Sequence, residues 1–233
     1  MRSVLVTGGN RGIGLAIARS LAARGDRVAV THRSGEPPEG LLGVRCDVTD
    51  EKSVEEAFAR VEEVQGPVDI AVANAGITND GLALAMSDED FGRVINTNLM
   101  GAFRVARRAA ARMATARWGR LLFVASTVGM AGSPGQANYA ASKSALIGLA
   151  RSMAWELGRR NVTVNVLAPG LIETDMITHV SDKRRAELIR ETALRRVGTA
   201  EEVARVADFL TSDASSFMTG AVIPVGGGHG MGH

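Results

Sequence analysis

The chain has little that would support metal, disulfide or membrane chemistry. Among its 233 residues there is a single cysteine, Cys46. One thiol excludes an intramolecular disulfide framework, no Cys/His spacing matches a zinc site, and the four histidines are scattered. Only six prolines occur, and no Pro/Gly/Ser-rich linker, internal repeat or charge block divides the sequence, so one domain over 1–233 is expected. The formal charge is +2, with 27 basic and 25 acidic residues spread along the chain, which gives nucleic-acid binding little electrostatic support. At the amino end Arg2 is followed by Val4-Leu5-Val6 and then by Gly8-Gly9, too short a run for a signal-peptide core or a membrane span. A cytoplasmic protein that binds no metal is the default expectation.

What is present is a chain that is 45% hydrophobic with 27 glycines, enough to bury a sizeable core. Short β-branched runs at Ser3–Thr7, Val28–Thr31, near Val44, Val68–Val72, Leu121–Ala125, Val162–Leu167 and Ala221–Val225 read as strands. Helical periodicity spans Gly12–Arg24, Glu51–Val64, Ser87–Met113, Asn138–Arg159 and Ala200–Thr211. Ser87 with Asp90, and Thr199 with Glu202, have the spacing of capping boxes. Largely apolar strands alternating with helices predict an α/β fold: one Rossmann-like, doubly wound parallel sheet of about seven strands with helices on both faces. The polar, irregular stretch 170–198, with a short helical segment near Ser181–Glu191, is a connection long enough to be functional.

Directly after the first strand stands Thr7-Gly8-Gly9-Asn10-Arg11-Gly12-Ile13-Gly14, with a helix opening on its last glycines. Glycines there permit the tight turn and a close backbone approach to a pyrophosphate, and the helix N-terminus supplies oriented N–H groups. Gly8, Asn10, Arg11, Gly12, Ile13 and Gly14 are therefore candidate dinucleotide contacts, although a ligand-free strand-to-helix turn has the same spacing. Where NAD-binding relatives carry an acidic residue after the second strand, this chain has His32-Arg33-Ser34. Arg33, with Arg11, suits a 2′-phosphate and favours NADP(H), and a solvated surface arginine is the alternative. Asp47 and Val48, past the third strand, and Asn74-Ala75-Gly76, past the fourth, lie at strand ends that line such a crevice.

Tyr139 is the only tyrosine in the chain, and Lys143, one of three lysines, follows four residues later. On a helix these side chains share a face, so an ammonium placed there is expected to lower the phenol's pKa and make it a usable proton donor. Ser126, at the end of the strand Leu121–Ala125, is placed to hold a substrate carbonyl.

The order and spacing of Thr7–Gly14, Asn74-Ala75-Gly76, Ser126 and Tyr139–Lys143 resemble the short-chain dehydrogenase/reductase family over essentially the full length. The resemblance implies that hydride passes from a nicotinamide to a carbonyl carbon while Tyr139 protonates the oxygen and Ser126 orients it. It further implies that Lys143 bonds the nicotinamide ribose and that Asn98 holds a water relaying protons to the lysine. Ile172 and Thr174, after Pro169-Gly170, would be nicotinamide-side contacts, and 170–198 a substrate lid. Within the family, the opening run from Val4, Thr31-His32-Arg33, Asn138–Lys143 and the final Gly230–His233 are similar to 3-oxoacyl-[acyl-carrier-protein] reductases of the actinobacterial type. That likeness implies NADPH-dependent reduction of a 3-oxoacyl thioester in fatty acid synthesis, with acyl-carrier protein docking near the active-site mouth at Arg117 and Arg160. It also implies a homotetramer built on the helices from Ser87 and Asn138. A ketoreductase for another metabolite or polyketide, and a non-catalytic NADP(H) sensor, are the competing readings.

Overall fold

The structure, a computed structural model, describes residues 1–174 and 182–231. Residues 175–181 of the expected lid, which include Ser181 of its helical segment, and the final Gly232-His233 lie outside the described residues. Val4, Leu5 and Val6 are all buried, as an apolar run must be when both of its faces are covered. They form β1 (Ser3–Val6), followed by α1 (Gly12–Ala23), β2 (Arg27–His32), β3 (Leu42–Arg45), α2 (Glu51–Gln65) and β4 (Ile70–Ala73). The second half runs α3 (Asp88–Ile95), α4 (Gly101–Ala116), β5 (Gly119–Val124), a one-turn α5 (Val128–Ala131), α6 (Ala137–Leu157) and β6 (Val162–Pro169). It closes with α7 (Asp182–Arg190), α8 (Ala200–Leu210) and β7 (Val222–Val225).

The seven strands pair in the order β3-β2-β1-β4-β5-β6-β7, parallel throughout. Alternate strand residues feed two cores. Leu5, Ala29, Ala71 and Phe123 pack with α2, α4 and α6 on one face, and Val4, Val6, Val30 and Val72 pack with α1 and α8 on the other. The strand order turns back between β1 and β4, so the chain leaves their C-terminal ends in opposite directions and opens a crevice there. The expected doubly wound sheet is thus the observed one.

One helix differs. The pattern from Ser87 to Met113 predicts a single helix, but Asn96–Met100 is a π-helical turn in which Gly101 N–H reaches back to Asn96 O. Asn96, Thr97, Asn98 and Gly101 are weak helix formers, and a Cβ at Gly101 would lie 2.7 Å from Val48 Cγ2, so close packing adds to the break. The capping signals also separate. Thr199 and Glu202 form the reciprocal box, with Thr199 N–H on the Glu202 carboxylate at 2.9 Å. Ser87 accepts from Asp90 N–H, yet the shorter Asp90 side chain takes the Ser87 hydroxyl instead of its backbone N–H.

Candidate active site

The glycine loop is shaped by contacts that leave no room for side chains. Gly8 has φ of +62° and Gly12 of +54°, and a Cβ on Gly14 would fall 2.4 Å from Asn74 Nδ2 and 2.5 Å from Gly8 O. Asn74 explains the closeness: its amide donates to Thr7 O and Gly8 O, at 2.9 and 3.1 Å. Thr7 Oγ1 in turn accepts the N–H groups of Asn74 and Ala75. The loop after β4 therefore buttresses the loop after β1, and α1 opens with its N-terminus toward the crevice.

All the residues singled out from sequence as cofactor contacts, from Gly8 to Thr174, line one groove of about 740 Å³, together with Ser126. Arg11 and Arg33 border it, and the residues directly after β2, Arg33-Ser34-Gly35, include no carboxylate, an arrangement that suits a 2′-phosphate. Asp47 lies beside them. The Thr49 hydroxyl and backbone N–H, at 2.7 and 2.9 Å, hold its carboxyl below the usual range, with Arg33 adding to the effect. The groove, its cradle of glycines and its two arginines fit a dinucleotide with a 2′-phosphate.

At the other end, across β4 and β5, the side chains with acid–base chemistry meet. Ser126 follows β5, and its oxygen accepts from Val128 N–H at 3.2 Å, while its hydroxyl lies near enough to the Tyr139 phenol to pull the phenol's pKa down. Lys143, one turn along α6, is buried, and its ammonium donates to Val124 O at 2.8 Å. The geometry corrects the expected electrostatics. Lys143 Nζ stands 5.7 Å from the centre of the Tyr139 ring, bound to a carbonyl and not to the phenol. Burial raises the phenol's pKa, Ser126 pulls it down and the Asp80 carboxylate pushes it further up. Burial also pushes Lys143 down to about 8.

Asn98 is brought near these groups but not into the groove. It is 1% exposed, and its amide donates to Ile77 O and Ser142 Oγ, both at 3.0 Å, while Oδ1 accepts Ile77 N–H at 2.8 Å. Both of its donors are committed to tying the loop after β4 to α6. On the remaining side, Pro169-Gly170 is packed so tightly that a Cβ on Gly170 would lie 2.6 Å from Gly226 Cα. Beyond it the chain leaves at Leu171 and returns at Gly198, where two backbone hydrogen bonds of 2.9 Å pin the ends of the excursion together.

Arg117 and Arg160 do not reach this mouth. Arg117 ends α4 in a left-handed conformation just before β5, and Arg160 sits just before β6, so both lie at the edge where the strands begin. The groove is at the other end of those strands, about 20 Å away for a strand the length of β5. Sequence reasoning also missed groove residues supplied from far along the chain. Asp80 accepts from Gln136 Nε2 at 3.1 Å, and Thr192 and His229 border the groove from the chain's last quarter. Of these, only Asp80, close behind Asn74–Gly76, had a local signal.

A family model described as "Enoyl-(Acyl carrier protein) reductase" matches residues 8–230. The 3-oxoacyl-[acyl-carrier-protein] reductase MabA of Mycobacterium tuberculosis (strain ATCC 25618 / H37Rv) is 55% identical over 232 residues, covering 100% of this chain and 94% of that protein. The 3-oxoacyl-[acyl-carrier-protein] reductase FabG of Escherichia coli (strain K12) is 43% identical, covering 96% of this chain and 95% of that protein.

Proposed function

The chain belongs to the short-chain dehydrogenase/reductase family, and on that premise we propose that it reduces the 3-oxo group of an acyl chain held on acyl-carrier protein, using NADPH, to give the 3-hydroxyacyl thioester of fatty acid synthesis. The observation that carries the reading is the meeting of the Ser126 and Tyr139 hydroxyls, backed by Lys143, in a groove that also presents Arg11 and Arg33. The names and full-length similarity of the two reductases support the choice of substrate.

When bound, NADPH supplies the hydride that the carbonyl carbon receives. The chain's own groups manage the oxygen. A phenol is protonated at neutral pH, and burial only strengthens that state, so Tyr139 can give its proton to the oxygen as negative charge develops there. The Ser126 hydroxyl donates a second hydrogen bond to that oxygen and fixes its position. Tyr139 is left as a phenolate and regains a proton from solvent. Asn98 acts by positioning, since it joins Ile77 to Ser142 one residue before Lys143.

The family model's description favours a second reading, reduction of a carbon–carbon double bond. Two adjoining hydroxyls suit a single carbonyl oxygen better. Comparing NADPH consumption on matched 3-oxoacyl and 2-enoyl carrier thioesters decides between them: fast turnover of the first supports the ketone reading, and turnover of the second alone overturns it.

The proposal extends to 170–198 as the substrate lid, to a cytoplasmic location and to a homotetramer. Among the described residues no helix is long and apolar enough to cross a membrane. Trp155 on α6 is 89% exposed and the space around Gly148 is open, which supports α6 as a face for a sister subunit. Sedimentation at tetramer mass tests the assembly.

A further inference from the structure

The chain's last described turn, Gly226-Gly227-Gly228-His229-Gly230, is a backbone strap in which Gly227, Gly228 and Gly230 all have positive φ. Its glycines make the turn, so the side chain at 229 is not needed for the chain reversal. Yet the imidazole is placed with both nitrogens directed at separate walls. Nδ1 lies 3.0 Å from Thr127 Oγ1, and Thr127, 1% exposed, is the residue after Ser126. Nε2 lies 4.0 Å from the carboxylate of Glu191, the residue that follows α7. Nδ1 and the Thr127 hydroxyl share a hydrogen bond, and the Glu191 carboxylate faces Nε2 at a distance longer than one.

The surroundings give this link leverage over the groove. The strap is bonded to the chain after α7 through Leu194 N–H to Gly227 O at 3.0 Å, and a Cβ on Gly228 would come within 2.7 Å of Ala193 Cβ. Leu188 and Thr192, from α7 and its exit, border the same groove as His229. Glu191 is shared, its other oxygen lying 3.7 Å from Arg184, so the carboxylate is held from two sides. His229 also borders a second, mainly apolar hollow of about 330 Å³ with Leu171, Leu194 and Met231.

We propose that His229 is a positioning residue for the acyl substrate, clasping the end of α7 to the Ser126–Thr127 corner so that the acyl chain is held against a closed wall. The inference rests on the reading of the chain as a 3-oxoacyl reductase. It concerns the substrate side of the groove: among the described residues His229 is bonded to Thr127 and faces Glu191, not Arg11 or Arg33, so the 2′-phosphate end of the nucleotide site should keep its hold on NADPH.

The two contacts can be probed with amides, because an asparagine side chain reaches the Nδ1 position, where its oxygen can accept from the Thr127 hydroxyl or its nitrogen donate to it, and a glutamine amide nitrogen falls near Nε2. In the full-length enzyme, with NADPH and a 3-oxoacyl thioester on carrier protein, His229→Ala should raise KM about tenfold, the weight of one lost hydrogen bond at the upper end of its range. NADPH affinity read by nucleotide fluorescence should stay at the wild-type value, amide exchange across 184–191 should quicken, and His229→Asn or His229→Gln should recover at least half of the KM effect. Unchanged KM and exchange in His229→Ala would overturn the clasp. So would a loss of NADPH affinity in step with KM that neither amide variant relieves, since that is general damage. If the wild type turned over no 3-oxoacyl thioester, the functional reading would fail, and the exchange comparison would still decide the clasp.

Discussion

Lys143 donates its ammonium to the main-chain carbonyl of Val124 at 2.8 Å, stitching the second turn of α6 to the last residue of β5. Two residues after that carbonyl comes Ser126, so the lysine sets the distance between the helix that carries Tyr139 and the strand end that carries its hydroxyl partner.

The same lysine is held at a cost. Burial lowers it from 10.5 to about 8, so the folded state binds fewer protons than the unfolded one between those values and stability rises with pH across that window. Below pH 8 the full penalty is present, about 3 kcal/mol for such a shift. Lys143→Met should therefore be more stable than wild type near pH 7 by up to that amount, less whatever the orphaned Val124 carbonyl takes back. The advantage should shrink by pH 10, and turnover should be lost at all pH values. Urea denaturation at several pH values checks it.

Tyr139→Phe should lower kcat by about 10²- to 10⁴-fold with NADPH affinity retained, as loss of a proton donor predicts. Ser126→Ala removes the one hydrogen bond that pulls the phenol's pKa down. In the oxidative direction, where the phenolate is the base, its rising limb should move to higher pH. The pH profile of 3-hydroxyacyl oxidation by wild type and Ser126→Ala measures the shift.

Arg33→Ala should weaken NADPH binding by about 10- to 100-fold, the worth of a charge-assisted hydrogen bond, and leave NADH binding nearly unchanged. Titration calorimetry with both nucleotides gives the comparison. Equal losses for the two would place Arg33 away from the 2′-phosphate.

Gly14→Ala puts a methyl 2.5 Å from Gly8 O, a backbone atom that cannot step aside cheaply. The substitution should destabilise the fold by about 1–3 kcal/mol and abolish detectable NADPH binding. Thermal melts and nucleotide fluorescence report the two effects separately.

Much of this was legible in the sequence because it is local. The strand, glycine loop and helix from Ser3 to Ala23 are consecutive, and Tyr139 with Lys143 lie one helical turn apart, so pattern alone placed them. What pattern missed depends on contacts between distant segments. The weak helix formers Asn96, Thr97 and Asn98 do not by themselves stop a helical pattern, and the approach of Val48 to Gly101 adds the reason the helix is interrupted there. His229 is 102 residues from Thr127, so nothing near it in the chain announces their contact. Arg117 and Arg160 illustrate a related point: basic character is visible in a sequence, but which end of the sheet a residue occupies is set by the strand that follows it. The depressed phenol pKa failed because burial, invisible in an i, i+4 spacing, outweighs a cation 5.7 Å from the ring.

The central claim is tested most directly by incubating the enzyme with NADPH and a 3-oxoacyl carrier thioester and analysing the acyl product by mass spectrometry, beside a Tyr139→Phe control. Stoichiometric formation of the 3-hydroxyacyl thioester by wild type alone is the predicted result. An unreduced 3-oxoacyl thioester with wild-type enzyme that still binds NADPH, or equal product from the control, would contradict the account.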